Sequence, residues 1–188
     1  MTLQRALEAG MRGGDWEVLD DLVVETSSFV YDDYSAATAY DAFATENVDT
    51  LLHWLNDDQF LRSEGARIAL ELLQQDWACI RRADQVRLGV GIERAYPRIG
   101  SVSALLLAAE LLGRYADSTF GLEALKRLGI SERSETARSL LPSGLAFLAK
   151  HSSPSTRDQA IRLLDGLAND PSPLVRREAA TVLARCER

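Results

Sequence analysis

Apolar residues recur along this chain every three or four positions, and no segment alternates apolar and polar residues with a period of two. In "FLRSEGARIALELL" one stripe consists of Leu61, Gly65, Ile68 and Leu72, and "PLVRREAATVLARC" repeats that spacing. The spacing is typical of amphipathic α-helices, because positions three and four apart lie on the same face. The pattern predicts an all-α protein of about nine to eleven helices joined by short turns, with neighbouring helices antiparallel.

Two Ser-Pro pairs mark predicted helix starts in the second half of the chain. Ser153-Pro154 and Ser172-Pro173 lie nineteen residues apart. In each pair the serine can cap a helix, and proline suits the first helical position because the N–H there has no partner within the helix. Asp58 and Ser134 are further candidates for caps, and Gly129 is predicted to end a helix.

The segment "LANDPSPLVRREAATVLAR" at 167–185 combines an Asp-Pro turn with a Val-Arg pair that opens a helix of small residues and leucine. The residues that form this motif are Asp170, Pro171, Val175, Arg176, Ala179, Ala180 and Leu183. The motif resembles a HEAT repeat, and weaker echoes of it lie at 55–73 and 153–165.

This resemblance to the HEAT-repeat (armadillo-like) family implies antiparallel helix pairs stacked as a short HEAT-like α-α superhelix. It implies a single domain over residues 1–188, with the clearest repeats at 150–188. It also implies that Asp170 and Arg176 stabilise the turn between adjacent repeats through hydrogen bonds. Metal-binding hydroxylases of the family carry His-Glu pairs, whereas the two histidines of this chain, His53 and His151, have no such pairing.

Charge is distributed unevenly along the chain, whose formal net charge is −7. Residues 1–60 contain two basic and thirteen acidic residues, and no lysine or arginine occurs between Arg12 and Arg62. Residues 61–188 contain nineteen basic and fifteen acidic residues. A strongly negative surface repels nucleic acid and favours a basic partner. The longest apolar stretch, "ALLLAAELLG", is too short to cross a bilayer, so the sequence predicts a cytoplasmic protein without a membrane partner.

No set of residues in the sequence indicates a reaction. His53 is expected at the edge of the core beside Trp54, and His151 at a helix end, so a metal site is not predicted. Gly89 and Gly91 lack the third glycine and the preceding strand of a dinucleotide site. We therefore expect no cofactor and no enzymatic activity.

Three functional hypotheses follow from the charge and the resemblance. The first is a non-enzymatic protein-binding module whose acidic N-terminal third neutralises a basic protein. In its profile such a chain resembles a bacterial immunity protein, which blocks a toxin by covering its active site. The second is a HEAT-like scaffold or adaptor that uses a concave face, with the acidic block serving solubility. The third, a HEAT-like DNA glycosylase, is disfavoured by the negative first third.

The first hypothesis places the partner-binding surface on acidic and aromatic side chains of the first sixty residues, since tyrosine and tryptophan are frequent interface anchors. The stretch "SSFVYDDYSAATAYDAF" at 27–43 is interpreted as a helix corner at the rim of that interface. The predicted partner-binding residues are Trp16, Asp20, Asp21, Tyr31, Asp32, Asp33, Tyr34, Asp41, Asp57 and Asp58.

Overall fold

A computed structural model describes residues 3–14, 16–18, 21, 47–115, 118–132 and 134–186. Over these ranges all regular structure is helical, which confirms the predicted all-α class and the expected number of helices. The α-helices are α1 (Leu3–Gly13), α2 (Val48–Trp54), α3 (Asp58–Leu61), α4 (Glu64–Asp76), α5 (Arg82–Ala95), α6 (Val102–Glu110), α7 (Ser118–Ser131), α8 (Glu135–His151), α9 (Pro154–Leu167) and α10 (Pro173–Cys186). Short 3₁₀ turns follow α4 and α5 at Trp77–Cys79 and Tyr96–Arg98, and a π-helical turn, Leu111–Tyr115, extends α6.

The chain forms two compact units. The first comprises residues 1–91 and 98–104, and the second comprises residues 92–97 and 105–188. The prediction of one domain over 1–188 and the HEAT-like superhelix therefore stay predictions, and each unit is described by itself below.

In the first unit, the predicted stripe forms part of the core and runs from Leu61 at the end of α3 into α4. Leu61, Ile68 and Leu72 are all buried, and Gly65 lies against the indole of Trp16. A Cβ atom at Gly65 would overlap that ring, so only glycine permits this approach. The ring of Phe60 lies next to Trp16, with 6.2 Å between the ring centroids, and completes this part of the core.

In the second unit, α8 is the central helix, because it contacts α7, α9, α10 and the π-helical turn. Its Gly144 lies so close to α6 that an added Cβ would overlap the carbonyl oxygen of Ala109. Gly113 of the π-helical turn has the same relation to the backbone of Gly144. These glycines let the helix backbones touch, as the absence of a Cβ atom allows.

Most predicted helix boundaries are confirmed, and two are wrong. Helices α9 and α10 begin at Pro154 and Pro173, and the Ser134 hydroxyl accepts a hydrogen bond from Ala137 N as an N-cap. Gly129, however, lies inside α7, which continues beyond it to Ser131 although glycine has a low helix propensity. Ile130 is exposed, and the last turn is closed by the backbone hydrogen bond from Glu132 N to the Leu128 carbonyl oxygen. Asp57 rather than Asp58 caps α3, since its carboxylate accepts the hydrogen bond from Phe60 N at 2.8 Å.

The turn before α10 is held by hydrogen bonds of Arg176 and Asp170. Arg176 Nη1 donates to the carbonyl oxygens of Asp170 and Pro171, at 2.8 Å in each case. The Asp170 carboxylate accepts from Ser172 N at 2.8 Å and from Arg138 of α8. The Ser172 hydroxyl donates to Glu135 Oε2 at 2.9 Å. The turn is thus tied to the start of α8 by side chains of both segments.

Candidate functional site

Four of the ten predicted partner-binding residues lie in the described ranges: Trp16, Asp21, Asp57 and Asp58. The other six lie outside them: Asp20, Tyr31, Asp32, Asp33, Tyr34 and Asp41. The predicted interface can therefore be placed only through the first four and through their neighbours in the first unit.

Trp16 is half-buried and contributes to the core of the first unit. Its ring meets Phe60 edge to face, with an interplanar angle of 68°. Gly10 and Gly65 provide the space for the indole, because a Cβ atom at either position would overlap it. Because these residues cover part of the indole, only the exposed part of the ring is available to a partner.

Asp57 and Asp58 are adjacent, but they differ in what they do. Asp57 is the N-cap of α3, whereas Asp58 is exposed and forms an ion pair with Arg98 Nη1 at 2.8 Å. Arg98 also donates to the carbonyl oxygen of Leu55 at 3.0 Å. Both carboxylates therefore already have partners within the first unit.

A chain of alternating charges links α2 to α5. Asp49 accepts from Arg87 Nη2 at 2.6 Å, and Arg87 Nη1 donates to Asp84 at 3.0 Å. Arg81 reaches the other oxygen of Asp84 at 2.8 Å. Hydrogen bonds from Arg87 and then from Arg81 lower the pKa of Asp84. Arginines from beyond residue 61 thus neutralise part of the acidic block.

The acidic block also has a depression at its surface, with a volume of about 320 Å³. We call it the acidic depression. Glu8 of α1 forms one wall, and α2 forms the other. The residues of α2 that line it lie on one face of that helix and are Asp49, Thr50, His53 and Trp54.

The side chains of the acidic depression suit a cation. The Asp49 side chain is 84% exposed despite its ion pair, and the Glu8 carboxylate accepts a hydrogen bond from Arg12 Nη2 at 3.4 Å. The rings of His53 and Trp54 lie edge to face, with 5.5 Å between their centroids. Two carboxylates beside an indole can bind an ammonium or guanidinium group. The carboxylates attract its positive charge, and the indole ring offers a π face.

The sequence indicated only part of the acidic depression. His53 was expected at the edge of the core, but it is exposed, because α2 turns it toward the depression. The spacing of Asp49 and His53, four residues apart on one helix, was a usable signal. Nothing in the sequence indicated that Glu8 lies opposite them.

In the described ranges, no group of three or more His, Cys, Asp or Glu side chains is placed to hold a metal ion. Among the helices of the same ranges, none has the length and apolar character needed to cross a membrane.

Comparison of the chain with models of protein families, with curated proteins and with solved structures finds no match.

Proposed function

We propose that this chain is a non-enzymatic protein-binding module whose acidic N-terminal third binds a basic protein, in the manner of an immunity protein that neutralises a toxin. The acidic depression carries this proposal, because it sets Glu8 and Asp49 beside Trp54 in the part of the sequence where acids outnumber basic residues most. An arginine or lysine side chain of the partner enters it.

The ion pairs of Arg12 with Glu8 and of Arg87 with Asp49 are weak enough for a partner's cation to replace them. The Arg12 side chain is 78% exposed and the Arg87 side chain is 52% exposed, so water screens their pairing with Glu8 and Asp49. Exposed ion pairs contribute only about 0–1 kcal/mol, and exchanging them for a partner's cation costs little. A cation over the half-buried Trp54 ring adds about 0.5–1 kcal/mol.

The remaining acids of the first third act over a longer range. Residues 1–60 have thirteen acidic and two basic residues, a balance of −11. Such a field accelerates the approach of a positively charged protein and weakens as salt is added. Association with the partner is therefore expected to slow as ionic strength rises.

A hexa-arginine peptide tests the acidic depression directly. The peptide is titrated into the isotopically labelled protein at 20 and 150 mM NaCl, and amide and indole signals are followed by NMR. The test variant is the double substitution Glu8→Gln and Asp49→Asn. The matched control is Asp158→Asn with Asp165→Asn, which changes net charge equally at exposed positions of α9.

The expected result is that signals of Asp49, His53 and Trp54 shift, more strongly at 20 mM NaCl. Affinity falls severalfold in the test variant but not in the control. Equal affinity of both variants would show that general charge attracts the peptide, and would overturn the role of the acidic depression. Binding that is indifferent to salt would favour an adaptor surface over an electrostatic one.

A further inference from the structure

We infer that the second unit has its own binding site, a groove that takes a short acidic peptide segment of a partner protein. The groove, here called the basic groove, has a volume of about 330 Å³ and lies between α8, α10 and the end of α6 with its π-helical turn. Its lining residues fall into an apolar floor and a charged rim.

The floor of the basic groove is formed by Phe147 with Ala146 and Val182. The ring of Phe147 lies 4.5 Å from the ring of His151, centroid to centroid, and the Arg114 guanidinium carbon is 5.6 Å from the same ring centroid. The Arg114 cation thus lies over the Phe147 ring. An apolar or aromatic side chain of a ligand would pack against this ring and Val182.

The π-helical turn contributes to the position of Arg114. It follows α6 at Leu111–Tyr115, and Glu110 and Arg114 on either side of its start both line the basic groove. A π-helical turn holds more residues than an α-helical one, so it changes which side chains share a face. Such turns occur frequently at functional sites.

The rim of the basic groove is positively charged. Arg114, Lys150 and Arg185 are exposed there, and Glu110 is the one acidic residue among the described lining residues. Lys150 and Arg185 form no ion pair with any other residue in the described ranges. Elsewhere in this unit Arg127 and Arg138 are paired with Glu93 and Asp170. Lys150 and Arg185 therefore leave positive charge for a ligand to neutralise.

The size and charge of the basic groove favour a short acidic peptide over a nucleic acid. Its volume lies at the lower end of the range for ligand pockets, about 300–1,000 Å³, which suits one or two side chains with flanking carboxylates. A nucleic acid needs a longer track of cations, and the net charge of −7 opposes a long polyanion. The proposed ligand of the basic groove is acidic and that of the acidic depression is basic, so one ligand cannot suit both sites.

Isothermal titration with the peptide acetyl-DDFDD-amide at 50 mM NaCl tests the inference on the full chain. The comparison ligands are acetyl-SSFSS-amide, acetyl-KKFKK-amide and an eight-residue oligothymidylate. The test variants are Lys150→Gln with Arg185→Gln, and Phe147→Leu, which keeps an apolar side chain but removes the ring. The matched control, Arg157→Gln with Arg162→Gln, removes two exposed cations from α9.

We expect the acidic peptide to bind and the serine and lysine peptides to bind at least tenfold more weakly. The Lys150/Arg185 variant should lose about tenfold in affinity and the Phe147→Leu variant about two- to fivefold, as expected for a lost aromatic contact with the phenylalanine of the peptide, while the control keeps its affinity. Circular dichroism verifies that every variant is folded. Tighter binding of the oligothymidylate, equal loss in the control, or dimerisation of the chain in place of peptide binding would each overturn the inference.

Discussion

Arg138 and Asp170 form a bidentate ion pair across 32 residues of sequence, with Nε and Nη2 of the arginine each 3.0 Å from a different carboxylate oxygen. Both side chains are largely buried, at 14% and 10% exposure. Arg138 Nη1 also donates to the carbonyl oxygen of Glu132 at 3.2 Å. Planar, charge-assisted pairs of this kind are the strongest hydrogen-bonded contacts available to side chains. The pair joins the first turn of α8 to the turn before α10.

Asp170→Asn should therefore destabilise the second unit. The amide keeps the shape of the carboxylate but removes the charge that accepts both hydrogen bonds from Arg138, and breaking a largely buried ion pair in this way costs about 3 kcal/mol. Urea unfolding followed by circular dichroism measures the loss. Asp165→Asn, an exposed acid on α9, is the control and should change stability by less than about 0.5 kcal/mol. Equal effects of both substitutions would contradict the importance of the pair.

The same pair predicts how stability depends on pH. Hydrogen bonding from Arg138, supported by Ser172 N, lowers the pKa of Asp170. A carboxylate with a lowered pKa in the folded state contributes stability above its unfolded pKa of about 3.9, and the contribution is lost as pH falls through the folded pKa. The stability difference between wild type and Asp170→Asn should be constant above about pH 5 and shrink below about pH 4. Urea midpoints at several pH values check this, and a difference independent of pH would contradict it.

Gly144→Ala should destabilise the second unit although alanine favours helices. The added Cβ would overlap the carbonyl oxygen of Ala109 and lie 3.1 Å from Leu125 Cδ1, so the backbones of α6 and α8 must separate. Overpacking of this kind costs about 1–3 kcal/mol. Gly166→Ala in α9 is the control, because nothing lies within 4 Å of its added Cβ. The control should be stabilised by about 0.4–1 kcal/mol, and the opposite order of the two melting temperatures would contradict the packing.

Substitutions at Asp57 separate capping from charge. Asp57→Ala removes the hydrogen bond to Phe60 N and should cost about 1 kcal/mol of stability, whereas Asp57→Asn keeps a cap and should cost little. Asp58→Ala removes only the exposed ion pair with Arg98 and should cost about 0–1 kcal/mol. Thermal unfolding measures all three. A loss in Asp57→Asn as large as in Asp57→Ala would show that the charge, and not the cap, matters.

The helices of this chain were predictable because their signals are local. The spacing of apolar residues alone predicts the buried stripe of Leu61, Ile68 and Leu72. Ser153 and Pro154 are adjacent in sequence and supply the cap and the first residue of α9. Gly129 shows the limit of such local rules, since α7 continues past this residue of low helix propensity and ends with a backbone hydrogen bond from Glu132 N to the Leu128 carbonyl oxygen.

The sites were less predictable because they join segments that are far apart in sequence. Glu8 and the residues of α2 line the acidic depression together, although some forty residues separate them in sequence. Arg114 and Arg185 both line the basic groove, although α8 lies between them in sequence. The charge imbalance of the first third indicated the sign of a partner. It could not indicate which of the acids already have arginine partners, as Asp49 and Asp58 do.

The bonds that tie the turn before α10 to α8 also set the order in which α10 can open. Arg138–Asp170 and Ser172–Glu135 hold its N-terminal end, while Arg185 near its other end is exposed. Local opening has a lower free energy where fewer contacts must break. Amide hydrogen exchange among the hydrogen-bonded residues of α10 should therefore follow a gradient, slower at Arg176, whose N–H donates to the Ser172 carbonyl oxygen, than at Arg185. Transient detachment of this helix would widen one end of the basic groove while the other end stays closed.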